Sequence, residues 1–87
     1  MGNTKHEFDI TGLIKENNSA ISELQQLVDI NNGIIVNIER STVGEALDKL
    51  RQQREVMLLK IENRELKASI EAKKNYNQKF IEHANRK

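Results

Sequence analysis

Residues 10–38 read ITGLIKENNSAISELQQLVDINNGIIVNI, and their spacing decides the fold. Ile14, Ile21, Val28 and Ile35 lie seven apart. Ile10, Asn17, Leu24, Asn31 and Ile38 form a second series, interleaved with the first at steps of three and four. This is the heptad repeat of a packed α-helix, the first series at a and the second at d. A third series, Leu13, Ala20, Leu27 and Ile34, occupies g, so the apolar face is three residues wide per heptad. A two-stranded seam needs a and d alone; a, d and g together suit a bundle or a coiled coil of three or more helices. β-branched residues at every a position favour parallel dimers when Leu fills d. Here d is mixed and g is apolar, which predicts a trimer or a higher assembly.

Asn17 and Asn31 interrupt the d series two heptads apart, each followed by another asparagine, Asn18 and Asn32. A buried amide must find partners, and in a symmetric core these are its own copies, so Asn fixes register at a cost in stability. The pattern resembles parallel trimeric coiled coils of fibre-like surface and viral proteins, where Asn rings at d point inward and can hold an anion. The resemblance implies register or anion layers at Asn17 and Asn31. It covers about four heptads and departs at the following residue, where Thr is usual and this chain has Asn18 and Asn32. The competing reading leaves both asparagines exposed or at helix breaks, because Asn17-Asn18-Ser19 and Asn31-Asn32-Gly33 look like punctuation.

Asn31-Asn32-Gly33 marks the expected end of the first helix, with Gly33 as a left-handed cap. Residues 34–38 then read as a connector, a continuing helix or an intersubunit strand, of which the strand is disfavoured. Thr42-Val43-Gly44-Glu45 has the form of a capping box, and a run of strong helix formers follows. The expected fold is therefore all-α: helices over about 10–32 and 43–84, joined as an antiparallel hairpin turning at 39–42 and assembled into a homo-oligomeric bundle. The alternative is a near-continuous coiled-coil rod. In the second helix Val43, Leu47, Leu50, Met57, Leu58 and Ile61 form one apolar stripe; Leu59, Leu66, Ile70, Phe80 and Ile81 form another. The first stripe is expected to fold back on the first helix and the second to reach beyond it or into a neighbouring subunit. The expected oligomer core is Ile14, Ile21, Leu24, Val28, Ile35, Ile38, Leu47, Leu50, Met57 and Ile61.

Composition narrows the remaining possibilities. The 87 residues hold 37% apolar and 31% charged side chains, three aromatics (Phe8, Tyr76, Phe80), and no proline, tryptophan or cysteine. That predicts a loose segment over 1–9 and one helical domain over 10–87. Without cysteine there is no disulfide scaffold, thiolate metal site or cysteine nucleophile. Few turn residues disfavour a sandwich or barrel. The longest apolar run is Ile34-Ile35-Val36, too short to span a bilayer or form a signal-peptide core, so a cytoplasmic chain is expected. A chain this small without staples commonly oligomerises.

The net charge of +1 hides an asymmetry. Residues 1–66 hold eight Lys/Arg against eleven Asp/Glu, and residues 67–87 hold six against two. Lys67, Lys73, Lys74 and Lys79, with Tyr76 and Phe80 among them, could meet phosphates and stack on bases, or meet an acidic partner. The plainer reading is a solvated helix end whose cations complement the macrodipole. A lysine-rich tail also argues against sequence-specific readout, which favours Arg. Catalysis finds no footing: His6 and His83 stand far apart, the glycines are isolated, and no serine has a histidine nearby in sequence. No metal, cofactor or catalytic residue is expected. The function expected is that of a small non-enzymatic interaction protein of adaptor, inhibitor or scaffold type. Its partners are itself and another protein, and its short Asn- and Lys-rich chain resembles accessory proteins of phages and other mobile elements. The alternatives are a nucleic-acid-associated regulator and a small-ligand or anion binder with sites between subunits.

Overall fold

The computed structural model describes residues 10–42 and 44–85. The segment expected to be loose, 1–9, lies outside the described residues, as do Val43, Arg86 and Lys87. Two helices form an antiparallel hairpin: α1 over Ile10–Arg40 and α2 over Ala46–Asn85. No strand occurs among the described residues.

The boundaries correct the sequence reading in two places. Helix α1 does not stop at Gly33 but runs to Arg40, so residues 34–38 are helix. Gly33 has no positive φ, and a Cβ built there would meet nothing within 4 Å. Glycine inside a helix costs about 1 kcal/mol relative to alanine. Continuing the turn offsets this cost, because it carries Ile35 into the buried seam and half-buries Ile38. The helix closes where the Ser41 amide donates to the Ile38 carbonyl at 3.1 Å, with Arg40 in the last turn complementing the dipole.

Helix α2 begins at Ala46, not at 43. The Glu45 carbonyl accepts the first helical bond, from the Lys49 amide at 3.0 Å, which places the cap at Glu45. Thr42 is three residues too early to cap this helix. Asp48 supplies the negative charge favoured in the first turn. Ser41 instead ties the turn to α2, its Oγ accepting from Gln52 Nε2 at 3.4 Å.

One seam joins the helices. From α1 it takes Val28, Asn31 and Ile35, all buried, and Ile14, Asn17, Ile21, Leu24 and Ile38, half-buried. These are the a and d series, so the heptads of α1 are spent on its own chain's second helix. From α2 it takes Val56, Asn63 and Ile70, buried, with Gln52, Leu59, Leu66, Lys73, Asn77 and Phe80 half-buried. Residues 52, 56, 59, 63, 66, 70, 73, 77 and 80 alternate steps of four and three without a break. The expected division of α2 is thereby reversed. Leu59, Leu66, Ile70 and Phe80 pack on α1, whereas Leu47, Leu50, Met57 and Ile61 point outward at 56%, 61%, 57% and 47% exposure. The short apolar stripe is the richer in leucine, but the longer one matches the full length of α1 and carries the polar partners that α1 needs.

The hairpin is long and thin. Its radius of gyration is 19.9 Å, against about 12 Å for a compact chain of this length. No helix is long and apolar enough to cross a membrane among the described residues.

Candidate functional site

Two asparagine layers lock the seam. Asn31 Nδ2 donates to Asn63 Oδ1 at 2.9 Å and to Glu62 Oε1 at 2.7 Å, using both of its amide hydrogens. Asn63 Nδ2 donates in turn to Asn32 Oδ1 at 3.0 Å. Fourteen residues away on each helix the arrangement recurs: Asn17 Nδ2 donates to Asn77 Oδ1 at 3.0 Å, and Asn77 Nδ2 to Asn18 Oδ1 at 2.9 Å. The paired residue numbers add to 94 in both layers. Each layer is an Asn-Asn doublet of α1 holding a single Asn of α2. No buried side-chain nitrogen or oxygen among the described residues lacks a partner.

The sequence shows the doublets as repeats in α1 but does not show that their partners lie in the same chain. Asn63 and Asn77 carry the missing signal: they too sit two heptads apart, on the inward series of α2. A slip of one heptad would set Asn31 against Val56 or Ile70, and Asn63 against Leu24 or Ile38. Each amide would then lose its partner in an apolar layer, at about 1–3 kcal/mol per buried group. The layers thus select one register. They do so within the chain, and the Asn31 amide keeps no hydrogen for an anion.

The seam divides the remaining surface into two faces. One side carries Leu27, Ile30 and Ile34 of α1 and Leu58 of α2 by helical register, all exposed. This face also carries Glu16, Glu23, Glu55, Glu62 and Glu65 against Arg51 and Lys79, by helical register. A groove of about 280 Å³ on this side, lined by Leu13, Asn17, Ser69, Ala72, Lys73, Tyr76 and Phe80, extends it toward the open end. The opposite side is basic: Lys15, Lys60, Arg64, Lys67 and Lys74 against Asp29, Glu39 and Glu71. A groove of about 370 Å³ there is lined by Asn32, Ile35, Lys60, Asn63, Arg64 and Lys67. A third groove, of about 640 Å³, lies at the turn between Ile38, Ser41, Thr42, Lys49, Gln52 and Met57, among others. No cluster of three or more metal-ligating side chains occurs among the described residues.

The structure divides the residues singled out in the basic tail between the two sides of the seam. Phe80 and Lys73 are half-buried on the seam, and Lys67 and Lys74 flank it on the basic side. Tyr76 is nine residues from Lys67, which at about 100° per residue sets it half a turn away. Its ring stacks on Phe80, centroids 6.2 Å apart. Lys79 falls on the acidic face. Lys73, Tyr76 and Phe80 thus line one groove with Lys79 on the same side, while Lys67 and Lys74 lie on the other side of the seam.

No family model matches the chain, and no curated protein or solved structure is significantly similar to it.

Proposed function

We propose that this chain is a small non-enzymatic helical-hairpin interaction protein that assembles with copies of itself and acts through protein–protein contacts. One observation carries the reading. Among the described residues the hairpin buries four apolar side chains, Val28, Ile35, Val56 and Ile70, and leaves eleven large ones exposed. Nine of those eleven fall between Leu27 and Ile61, in the half of the hairpin nearest the turn. Apolar side chains concentrated in this way mark contact surfaces, whereas singly scattered ones need no explanation.

Light scattering of the full chain over a wide concentration range tests self-assembly. The expected mass is that of three or more chains. A monomer of 10.0 kDa at every concentration would overturn the reading. Nucleic-acid binding is a second reading, now drawing on the row Lys60, Arg64, Lys67 and Lys74 along one side of α2. It predicts binding to single strands at low salt that weakens steeply as salt rises, and a flat response to salt would remove it.

A further inference from the structure

We infer that the self-assembly runs head to tail: the outward stripe of α2 in one copy docks on the acidic apolar face of the next. The inference rests on the self-assembling interaction protein proposed above and says which surfaces meet. Along the outside of α2, Leu47, Leu50, Arg54, Met57, Ile61 and Arg64 repeat at steps of three and four. This is the same spacing that builds the seam, here with no helix among the described residues to cover it. All four of its apolar members are exposed, at 47–61%. The stripe has the form of an amphipathic helix whose charged members are arginines.

The face that matches it lies on the other flank of the hairpin. Leu27, Ile30 and Ile34 follow one another at steps of three and four on α1, with Leu58 of α2 on the same side of the seam by helical register. Glu62 and Glu65 of α2 edge this patch, and Glu62 is held in place by its 2.7 Å bond from Asn31. Apolar residues thus meet apolar residues while arginines meet carboxylates. Two copies of the acidic face placed together would instead oppose glutamates, and two copies of the outward stripe would oppose arginines.

Area points the same way. The chain exposes 7083 Å², whereas a compact monomer of 10.0 kDa exposes roughly 5,200 Å². The elongated hairpin thus has more than the ~800 Å² of surface that one standard contact removes from each partner, room enough for a contact on each flank. A contact between unlike surfaces does not close in a pair by two-fold symmetry. It closes as a ring when the rotation allows and otherwise extends as a filament.

Mixing two variants tests the junction. Ile30→Glu spoils the acidic face and leaves the stripe; Met57→Glu spoils the stripe and leaves the face. Both residues are 57% exposed, so neither change touches the seam. Each variant alone is expected at the mass of one chain, and an equal mixture at twice that mass, because one intact junction is restored. If a dissociated variant also loses helix, the mixture recovers the circular dichroism signal at 222 nm. Assembly of Met57→Glu like the wild type, or a mixture no larger than its parts, would overturn the head-to-tail junction while self-assembly itself stood. A monomeric wild type would remove both.

Discussion

The two asparagine layers have one design and two environments. The layer at Asn31 and Asn63 lies in the middle of the seam, where both residues are buried at 5% and 7% exposure. The layer at Asn17 and Asn77 lies toward the open end and is only half-buried. The inner layer also recruits a carboxylate, Glu62, where the outer one does with amides alone. A buried donor has no water to fall back on, so its partners must come from the protein. A half-buried donor can exchange a lost partner for solvent. The inner layer therefore holds the register, and the outer layer repeats the instruction at lower stakes.

The largest expected effect comes from breaking the inner layer on one side. Asn63→Ala removes the acceptor of Asn31 and the donor to Asn32, and opens space beside buried Val28 and Ile35. Loss of about 2–3 kcal/mol is expected, read as a lower midpoint in urea with an unchanged slope. Asn77→Ala, the matching change in the outer layer, should cost about 1 kcal/mol. Equal losses at the two sites would show that burial does not distinguish the layers.

A milder change sharpens the same point. Replacing both inner asparagines, Asn31→Leu with Asn63→Leu, removes donor and acceptor together, and a polar pair exchanged for apolar side chains is often neutral or stabilising. The double variant is expected to match or exceed the wild type in urea while losing uniqueness of register. Because the chain has no cysteine, pairs introduced at Ile21 with Lys73, for the native register, and at Ile21 with Leu66, for a one-heptad slip, report the alternatives. The wild-type background should cross-link the first pair alone; the double variant should cross-link both. A double variant confined to the first pair would mean that packing, not the amides, sets the register.

Much of this was readable beforehand. The a and d series of α1, Ile14 through Ile38, are the residues that face the partner helix, because a spacing of three and four leaves a helix no other face to bury. The hairpin and its all-helical class followed from that and from the absence of proline. Two things were not readable. The inward face of α2 was obscured because apolar residues occupy two sides of it, and only the length of α1 shows which stripe is covered by its own chain. The amide partners were obscured because an asparagine among lysines reads as surface until its distance from a second asparagine is matched to the other helix. Leu47, Leu50, Met57 and Ile61 were legible as an apolar stripe, but the sequence does not show that the hairpin leaves them exposed.

The smallest expected effect concerns Gly33, which sequence alone placed at the end of a helix. A left-handed cap and a mid-helix glycine respond oppositely to alanine. At a cap with positive φ, a Cβ adds strain and destabilises. Here φ is not positive, and a Cβ meets nothing within 4 Å. Gly33→Ala should therefore stabilise by about 0.5–1 kcal/mol, through the lost entropy of the unfolded chain and the gain in helix propensity. The gain would appear as a higher urea midpoint and as slower amide exchange over residues 34–38, the turns that depend on the helix passing through this position. A loss instead of a gain would mean that α1 ends at Asn32. The layer formed by Asn31, Asn32 and Asn63 would then sit at a helix terminus rather than mid-seam, and the contrast between the inner and outer layers would lose its basis.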